Sequence, residues 1–277
     1  MALNLMYITN RPEVATIAQN SGVDRIFLDM EIIGKEARQS GMDTVKSHHT
    51  VQDVKAIRKV IDRSELLVRV NPLHEADEKV GSSVQEIEDT IEAGADIIML
   101  PMLKTARETE RFVRIADGRV KTMLLIETAE ANENIDEILR VEGVDEIHVG
   151  LNDLHLAYGK KFMFELLADG TVDRLCEKFS TKGLPYGFGG IARLGYGLLP
   201  AEKVIMEHYR LGSTRAILSR SFCNAEGIQD IIQLRTLFDY EMARIRDFEN
   251  LVELYDVETL KANQREVVRL VEKIARK

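Results

Sequence analysis

The sequence predicts an α/β fold, a (β/α)8 TIM barrel followed by an extra C-terminal helix. Short apolar segments, each long enough for one strand, alternate with longer amphipathic segments. Nearly continuous apolar strands separated by helices are typical of a parallel sheet that helices cover. Eight such units within 277 residues match the size of a closed barrel. The strand-like segments are residues 5–8, 25–28, 66–70, 97–100, 123–126, 146–149, 186–188 and 216–218.

Three repeated turns support the same fold. Each turn ends a helix-like segment and places glycine, an apolar residue and aspartate directly before a strand. Glycine suits the left-handed residue after a helix C-terminus, so we interpret the repeat as a fold signal and not as a catalytic one. The turns are Gly22-Val23-Asp24, Gly94-Ala95-Asp96 and Gly143-Val144-Asp145, and the main predicted helices are residues 13–20, 51–61, 84–92, 106–115, 135–139, 172–179 and 201–211.

The chain divides into a barrel core, residues 1–225, and a helical extension, residues 226–277. An open doubly wound sheet is the competing fold, but no G-x-G-x-x-G follows the first strand, which disfavours a dinucleotide-binding protein. Residues 228–245 predict the helix that closes the barrel. Residues 257–275 repeat apolar side chains at helical spacing. This last helix either caps its own barrel or docks on a neighbouring subunit as an oligomerisation arm.

The composition is that of a globular protein, with 45% apolar and 30% charged residues. The net charge of −9 is spread along the chain without a basic face, so we expect no nucleic-acid partner. Cys176 and Cys223 lack C-x-x-C spacing, which disfavours a zinc site and a disulfide framework and fits a reducing cytosol. We see neither a signal peptide nor an apolar run long enough to span a bilayer. A cytoplasmic protein without a membrane partner is therefore expected.

Two carboxylates, Glu127 and Asp153, follow neighbouring strand-like segments. Because the carboxyl ends of barrel strands open onto one face, both acids are expected on that face. Mg²⁺ and Mn²⁺ prefer oxygen ligands, so the pair predicts a site for one such cation with positions left for a 2-oxo acid. Gly150 and Asn152, from the same segment as Asp153, are expected to contact this substrate. The alternative is that each acid simply caps the helix after it.

Arg69 ends the third strand-like segment, where a buried charge is costly unless it is paired. We interpret it as a fixed cation for a substrate carboxylate or a developing enolate oxygen. The alternative is a buried salt bridge to a neighbouring acid. Asp29 and Glu31 end the second strand. They are candidates for orienting a metal-bound water, for proton transfer or for pairing with Arg69.

Histidines supply candidate bases, because their pKa lies near neutrality. His48 and His49 follow a long polar connection, residues 30–47, of the kind that forms binding loops in barrels. They are equally consistent with plain surface residues before a helix. His148, within the sixth strand, is expected to be a satisfied core residue, and the role of His155 is left open.

A glycine-rich segment, residues 187–195, follows the seventh strand. Glycines let backbone N–H groups approach a ligand, and this end of a barrel often binds phosphate. Gly189, Gly190 and Arg193 are therefore expected to contact the substrate, and Arg220 to serve an anionic tail. The alternative is a tight barrel corner packed around glycine.

Six fragments occur in a specific order across the strand ends. Together they resemble the class II pyruvate aldolases of the HpcH/HpaI family, with the related citrate lyase β-subunits and malyl-CoA lyases. The resemblance extends over residues 5–222 and implies a barrel of the phosphoenolpyruvate/pyruvate type. The fragments are Phe27-Leu28-Asp29-Met30-Glu31, Val68-Arg69-Val70-Asn71, Met99-Leu100-Pro101-Met102, Leu125-Ile126-Glu127-Thr128, Val141-Glu142-Gly143-Val144-Asp145 and Gly150-Leu151-Asn152-Asp153-Leu154.

The resemblance implies roles for single residues. Glu127 and Asp153 match the family's metal ligands, Arg69 the residue that stabilises the pyruvate enolate, and Asp29 a group beside the metal-bound water. Glu92 matches a family aspartate that supports the catalytic base across a subunit contact. The family further implies a homo-oligomer, a trimer or a hexamer, with C-terminal helices exchanged between subunits.

One position departs from the aldolase pattern. The aldolases carry a histidine directly after Asp-x-Glu, and this chain has Ile32 there. His48 or His49 could replace it, or metal-bound hydroxide could suffice. The expected function is a metal-dependent carbon–carbon lyase acting on 4-hydroxy-2-oxo acids. The alternatives are a citryl- or malyl-CoA-type lyase, whose branch also lacks that histidine, and a metabolite-binding barrel without catalysis.

Overall fold

The protein is an eight-stranded parallel barrel in a computed structural model that describes residues 2–35, 48–76 and 81–276. The strands pair in sequence order and β1 pairs with β8, so the predicted (β/α)8 fold is confirmed. The strands are β1 (Asn4–Ile8), β2 (Arg25–Asp29), β3 (Glu65–Arg69), β4 (Ile97–Leu100), β5 (Lys121–Ile126), β6 (Glu146–Val149), β7 (Tyr186–Ile191) and β8 (Arg215–Leu218).

Helices cover the outside of the barrel, and each predicted helix is present with bounds shifted by a few residues. Three helices, at Ala129–Glu133, Leu151–Ala157 and Glu165–Ala168, were not among the predicted ones. The helices are α1 (Pro12–Asn20), α2 (Val51–Arg58), α3 (Ser83–Glu92), α4 (Ala106–Ala116), α5 (Ala129–Glu133), α6 (Ile135–Ile138), α7 (Leu151–Ala157), α8 (Glu165–Ala168), α9 (Thr171–Lys182), α10 (Ala201–Arg210), α11 (Ile231–Val252) and α12 (Val257–Ala275).

The three repeated turns share one backbone conformation and one type of hydrogen bond. Gly22, Gly94 and Gly143 all have positive φ, as the left-handed position requires. The aspartate that follows each glycine accepts a hydrogen bond at 2.7 Å from the backbone N–H of the preceding strand in the barrel. The pairs are Asp24 with Leu5, Asp96 with Leu66, and Asp145 with Thr122.

The barrel interior is layered. At the N-terminal end, Arg25 lies between Glu65 and Glu146, and Arg215 also binds Glu146. These charges are satisfied by one another, so they close that end without an unpaired ion. Above them lies an apolar layer, and the C-terminal strand ends are left for polar groups. The apolar layer consists of Met6, Phe27, Leu67, Ile97, Met99, Met123 and Leu125.

The last helix, α12, packs on its own barrel, against α8 and α10. It buries Val267 and Val271, and Asn263 donates a hydrogen bond of 2.8 Å to the buried carboxylate of Glu207. The first of the two predicted placements is therefore observed in this chain, and the oligomerisation arm stays a prediction. Within the described residues, no helix combines the length and apolarity that crossing a bilayer requires.

Candidate active site

A cavity of about 570 Å³ opens at the C-terminal ends of the strands. Its walls contain most of the predicted site residues and several others. The predicted residues that line it are Asp29, His49, Arg69, Glu127, Gly150, Asn152, Asp153, Gly189, Gly190 and Arg220.

Glu127 lies directly after β5 and is only 2% exposed. Burial raises the pKa of Glu127 to about 8; Arg69 opposes this rise, while the nearby carboxylates of Asp153 and Glu31 add to it. The helix cap after β5 is Thr128, whose hydroxyl accepts from the Ala131 N–H at 3.0 Å. The capping explanation for Glu127 is therefore wrong, and this carboxylate is available for a ligand.

Two backbone features hold the Glu127 carboxylate in place. Its Oε1 accepts a hydrogen bond of 3.0 Å from the N–H of Met102, a non-glycine residue with φ of 54°. A left-handed conformation costs such a residue roughly 1–2 kcal/mol, so the surrounding structure must hold it. On the other side, a Cβ added to Gly150 would lie 2.7 Å from Oε2 of Glu127. Only glycine leaves room for the carboxylate in this position.

Asp153 lies in the first turn of α7, the helix that follows β6, and β6 pairs with the strand that Glu127 follows, β5. Gly150 is the N-cap of α7 and makes no side-chain cap, so the helix begins immediately after β6. This sharp transition brings Asp153 to the cavity wall and close enough to influence the pKa of Glu127.

Arg69 is held by acids from β2. Its Nε donates to Oδ1 of Asp29 at 2.8 Å, and its Nη2 lies 3.4 Å from Glu31. Lys35 donates to the other oxygen of Asp29 and is itself 3% exposed. The Arg69 and Lys35 cations hold the pKa of the Asp29 carboxyl well below its usual range even though burial opposes this. The predicted pairing of Asp29 with Arg69 is therefore observed, and two cations are fixed at the cavity wall.

His49 lines the cavity, with its ring oriented by the backbone of β2. Nδ1 of His49 accepts a hydrogen bond of 3.0 Å from the Asp29 N–H. The neutral ring therefore carries its proton on Nε2. In this arrangement His49 is a hydrogen-bond donor through Nε2.

Comparison with known proteins identifies the family. The family model for HpcH/HpaI aldolase/citrate lyase matches residues 4–163, which include the strand ends that carry Asp29, Arg69, Glu127 and Asp153. The chain belongs to the HpcH/HpaI aldolase/citrate lyase family. This membership supports a lyase. A search of curated proteins gave no match.

Solved structures with the same barrel include two that are named for the HpcH/HpaI family. One is a HpcH/HpaI aldolase/citrate lyase family protein from Burkholderia cenocepacia, with TM-score 0.62 and 16% identity over 84% of this chain and 95% of that chain. The HpcH/HpaI aldolase from Desulfitobacterium hafniense has a TM-score of 0.57 and 16% identity, and the match covers 89% of this chain and 93% of that chain. The citrate synthase SbnG gives 0.58 and 16%, over 89% and 94%. At these identities, the likeness establishes the fold alone.

Three expected site residues lie away from the cavity wall in this family member. His48 is exposed. Glu92 is exposed at the end of α3, which leads into the opposite, N-terminal end of β4, so its predicted role across a subunit contact stays a prediction. The Arg193 guanidinium lies 3.9 Å from the centre of the Tyr196 ring, and this contact orders the loop after β7. Most of the connection at residues 30–47 falls in 36–47, outside the described residues.

His155 and His148, the remaining histidines that the sequence analysis considers, have backbone partners. Nδ1 of His155 donates to the Leu151 carbonyl at 3.1 Å, which makes His155 part of helix α7. Nε2 of His148 donates to the Gly189 carbonyl at 3.1 Å, while its Nδ1 has no partner among the described residues. Burial lowers the pKa of His148 to about 4. His148 is thus buried and neutral, but it also lines the cavity and only one of its ring nitrogens is satisfied, so the expected satisfied core residue is observed only in part.

Lys35 and Asn71 are the residues that the sequence analysis missed. Oδ1 of Asn71 accepts from the N–H groups of Ile32 and Ile33 at 2.8 and 2.9 Å, which folds the chain back after β2. Gly34 then adopts φ of 74°, and Lys35 reaches Asp29. The sequence feature that points to Lys35 is its position two residues after Ile33, within the connection at residues 30–47 that is predicted to form a binding loop.

The residues present fit a hard divalent cation. Glu127 is a buried carboxylate with a raised pKa beside a second carboxylate, and a cation would relieve both the burial and the repulsion. Within the described ranges, no group of three or more histidine, cysteine or acidic side chains is arranged to hold a metal. A two-carboxylate site leaves positions for water and substrate oxygens, as Mg²⁺ and Mn²⁺ sites often do.

Proposed function

We propose that this protein is a divalent-metal-dependent carbon–carbon lyase that cleaves or forms 4-hydroxy-2-oxo acids through a pyruvate enolate. One observation carries the proposal. Glu127, Asp153 and Arg69 line the same cavity, and the charges of Asp153 and Arg69 both act on the pKa of Glu127. Two acids and a fixed cation at one barrel mouth suit the recognition of a small oxo acid.

Glu127 and Asp153 would hold Mg²⁺ or Mn²⁺. When bound, this ion supplies Lewis-acid polarisation of the substrate keto group. Met102 and Gly150 position Glu127 for that purpose, through the N–H bond and through the space beside Oε2. We expect Gly150 and Asn152 to contact the oxo acid, because both line the cavity beside Asp153.

Arg69 and Lys35 supply the positive charge that the enolate oxygen requires. Asp29 fixes both cations, so they need little reorganisation as negative charge develops. Because the pKa of Asp29 is held low, this carboxylate is a weak proton acceptor, and we assign it a positioning role.

The cleavage is redox-neutral. The bond between C3 and C4 breaks as the 4-hydroxyl loses its proton and becomes the aldehyde carbonyl. The electron pair passes to the pyruvate fragment as an enolate, whose C3 then takes a proton. His49 lines the cavity, and its Nδ1 is occupied by the Asp29 N–H. A role as base would require the proton to sit on Nδ1, which would break the bond from the Asp29 N–H.

The test is release of pyruvate from 4-hydroxy-2-oxo acids with and without a chelator. We expect chelation to abolish activity and Glu127→Gln or Asp153→Asn to lower kcat/KM by a factor of roughly 100 or more. Glu142→Gln is the matched control, since the Glu142 side chain is 89% exposed. Full activity in both site variants would rule the mechanism out. Release of free CoA from malyl- or citryl-type thioesters would favour a citryl- or malyl-CoA-type lyase. Metal binding without turnover of any of these substrates would favour a non-catalytic barrel.

A further inference from the structure

The cavity wall has a charged side, an apolar side and a third, polar side from the ends of β1 and β8 that includes Arg11, Ser219 and Arg220. The charged side comes from the ends of β2, β3 and β5 and from the start of α7, and it carries Asp29, Arg69 and Glu127. The apolar side comes from the segments that follow α7 and β7. Its members are Phe162, Met163, Phe164, Leu198 and Leu199.

The volume exceeds what a three-carbon oxo acid needs. At about 570 Å³, the cavity is in the range that accommodates a drug-sized ligand. Pyruvate on the charged side would leave the apolar side to the second substrate fragment. The proposed reaction supplies that fragment as an aldehyde.

The segment after α7 places two aromatic rings in the cavity wall. Phe162 and Phe164 form an edge-to-face pair with centroids 5.3 Å apart. Phe164 is 5% exposed and anchors the segment in the core, whereas Phe162 is only partly buried. Because α7 begins with the turn that holds Asp153, this aromatic wall is fixed relative to the proposed metal ligand.

The loop after β7 presents a leucine at the mouth. Leu198 lines the cavity and is nevertheless 76% exposed, while the adjacent Leu199 is buried. Gly197 forms the turn before it with φ of +97°, and an added Cβ there would lie 2.6 Å from the Leu199 carbonyl oxygen. The Arg193–Tyr196 contact holds the same loop. Leu198 therefore places an apolar side chain at the cavity mouth, beside the buried Leu199.

From this division, and resting on the proposed function, we infer that the aldehyde fragment of the substrate carries a bulky apolar group, aromatic or branched aliphatic. This group packs against Phe162, Phe164 and Leu198 while the pyruvate fragment lies at Glu127 and Asp153. A polyhydroxylated or acidic aldehyde would leave its polar groups unpaired against this wall. Such an aldehyde would instead turn toward Arg11 or Arg220, and a preference for the glyceraldehyde or glyoxylate adduct would reveal that placement.

The test compares three substrates that share the pyruvate half, namely the pyruvate adducts of benzaldehyde, of glyceraldehyde and of glyoxylate. We expect kcat/KM for the benzaldehyde adduct to exceed the other two by at least about tenfold, the discrimination that apolar pocket contacts provide. Leu198→Ser and Phe162→Ser are expected to reduce this ratio about threefold or more. Leu254→Ser is the matched control, because Leu254 is 81% exposed and does not line the cavity.

A separate readout distinguishes the inference from the function on which it rests. Exchange of the pyruvate methyl protons in D₂O with wild-type protein and Mg²⁺ reports enolate formation without any aldehyde. Exchange together with equal or reversed preference among the three adducts, or with release of CoA from a thioester, would overturn the apolar assignment alone. Absence of both exchange and cleavage would overturn the proposed function and the inference with it.

Discussion

At the residue scale, the site depends on a buried cluster of charges. Asp29 bridges Arg69 and Lys35, and all three side chains are at least 86% buried. The sequence predicted Asp29 and Arg69, because a charge at the end of an apolar strand in a barrel faces the cavity. It did not predict Lys35. The position of Lys35 depends on the turn at Gly34 and on the hydrogen bonds that Asn71 accepts from Ile32 and Ile33, which are tertiary features.

Asp29→Asn is expected to destabilise the fold by roughly 3–5 kcal/mol, because it removes the counter-charge of the buried Lys35 and leaves Arg69 with the longer pair to Glu31. Urea unfolding measures the change. Asp136→Asn is the control, since Asp136 is 66% exposed in its pair with Lys178 and its loss is expected to cost at most about 1 kcal/mol. Adding Lys35→Met to Asp29→Asn should recover part of the loss. Equal effects of Asp29→Asn and the control would contradict the account of this cluster.

At the element scale, strand ends bring the site together. Periodicity and strand order were enough to predict that Glu127 and Asp153 would meet, because adjacent parallel strands end at the same face. The course of β7 was harder to predict. Its register shifts between Gly187 and Gly190, so the strand continues to Ile191 and the predicted loop glycines lie within it. The glycine-rich segment is in part the barrel corner that was its alternative interpretation.

Gly150→Ala tests how closely β6 and β5 must approach. The φ of Gly150 is −80°, which alanine adopts without strain, so the cost comes from side-chain contacts, mainly with Glu127 and more weakly with Leu125 Cδ1 at 3.3 Å. We expect an unchanged circular dichroism spectrum and a fall in kcat/KM of about tenfold or more, because displacement of a catalytic group by about 1 Å can cost that much. Gly81→Ala is the control, since its Cβ would meet only Gln85 at 3.9 Å. Normal activity of Gly150→Ala would show that Glu127 need not lie where it does.

At the scale of the whole molecule, the barrel separates stability from chemistry. The N-terminal end is closed by a paired charge network, and the C-terminal end carries the cavity. Composition and alternation predicted the closed barrel well, because each strand and helix was locally consistent with it. They could not place the last helix. An amphipathic face fits its own barrel or a neighbour equally, and only the packing of α12 on α8 and α10 distinguishes them within one chain.

Two core histidines predict an acid sensitivity of the fold. Burial lowers the pKa of His148 to about 4 and that of His208 to about 3. An unfolded histidine titrates near ~6.5, and each unit of depression corresponds to ~1.4 kcal/mol. At a pH between the unfolded and folded pKa values of these histidines, the unfolded chain binds protons that the folded chain does not. The histidine contribution to the free energy of unfolding is therefore expected to fall as the pH drops from about 6.5 toward 4. The raised pKa of Glu127 acts in the opposite direction, and this effect is common to the wild type and the histidine variants.

The effect is separable from that of the paired carboxylates. Glu146, whose pKa Arg25 and Arg215 hold at about 2 against the effect of burial, loses its contribution only as pH falls below its ordinary value of 4.5. Tm measured at pH 7 and pH 5 should fall less in His208→Gln than in the wild type. His48→Gln, at an exposed position, should leave the difference unchanged. A fall in Tm between pH 7 and pH 5 that is as large in His208→Gln as in the wild type would show that His208 does not cause the acid sensitivity.

The central claim is that Glu127 and Asp153 hold one divalent cation at the mouth of the barrel. Titration with Mn²⁺ followed by electron paramagnetic resonance tests it without requiring turnover. We predict one tightly bound ion per chain in the wild type and in Glu142→Gln, with affinity lower by at least roughly tenfold in Glu127→Gln and in Asp153→Asn. Unchanged Mn²⁺ affinity in both site variants would contradict the claim.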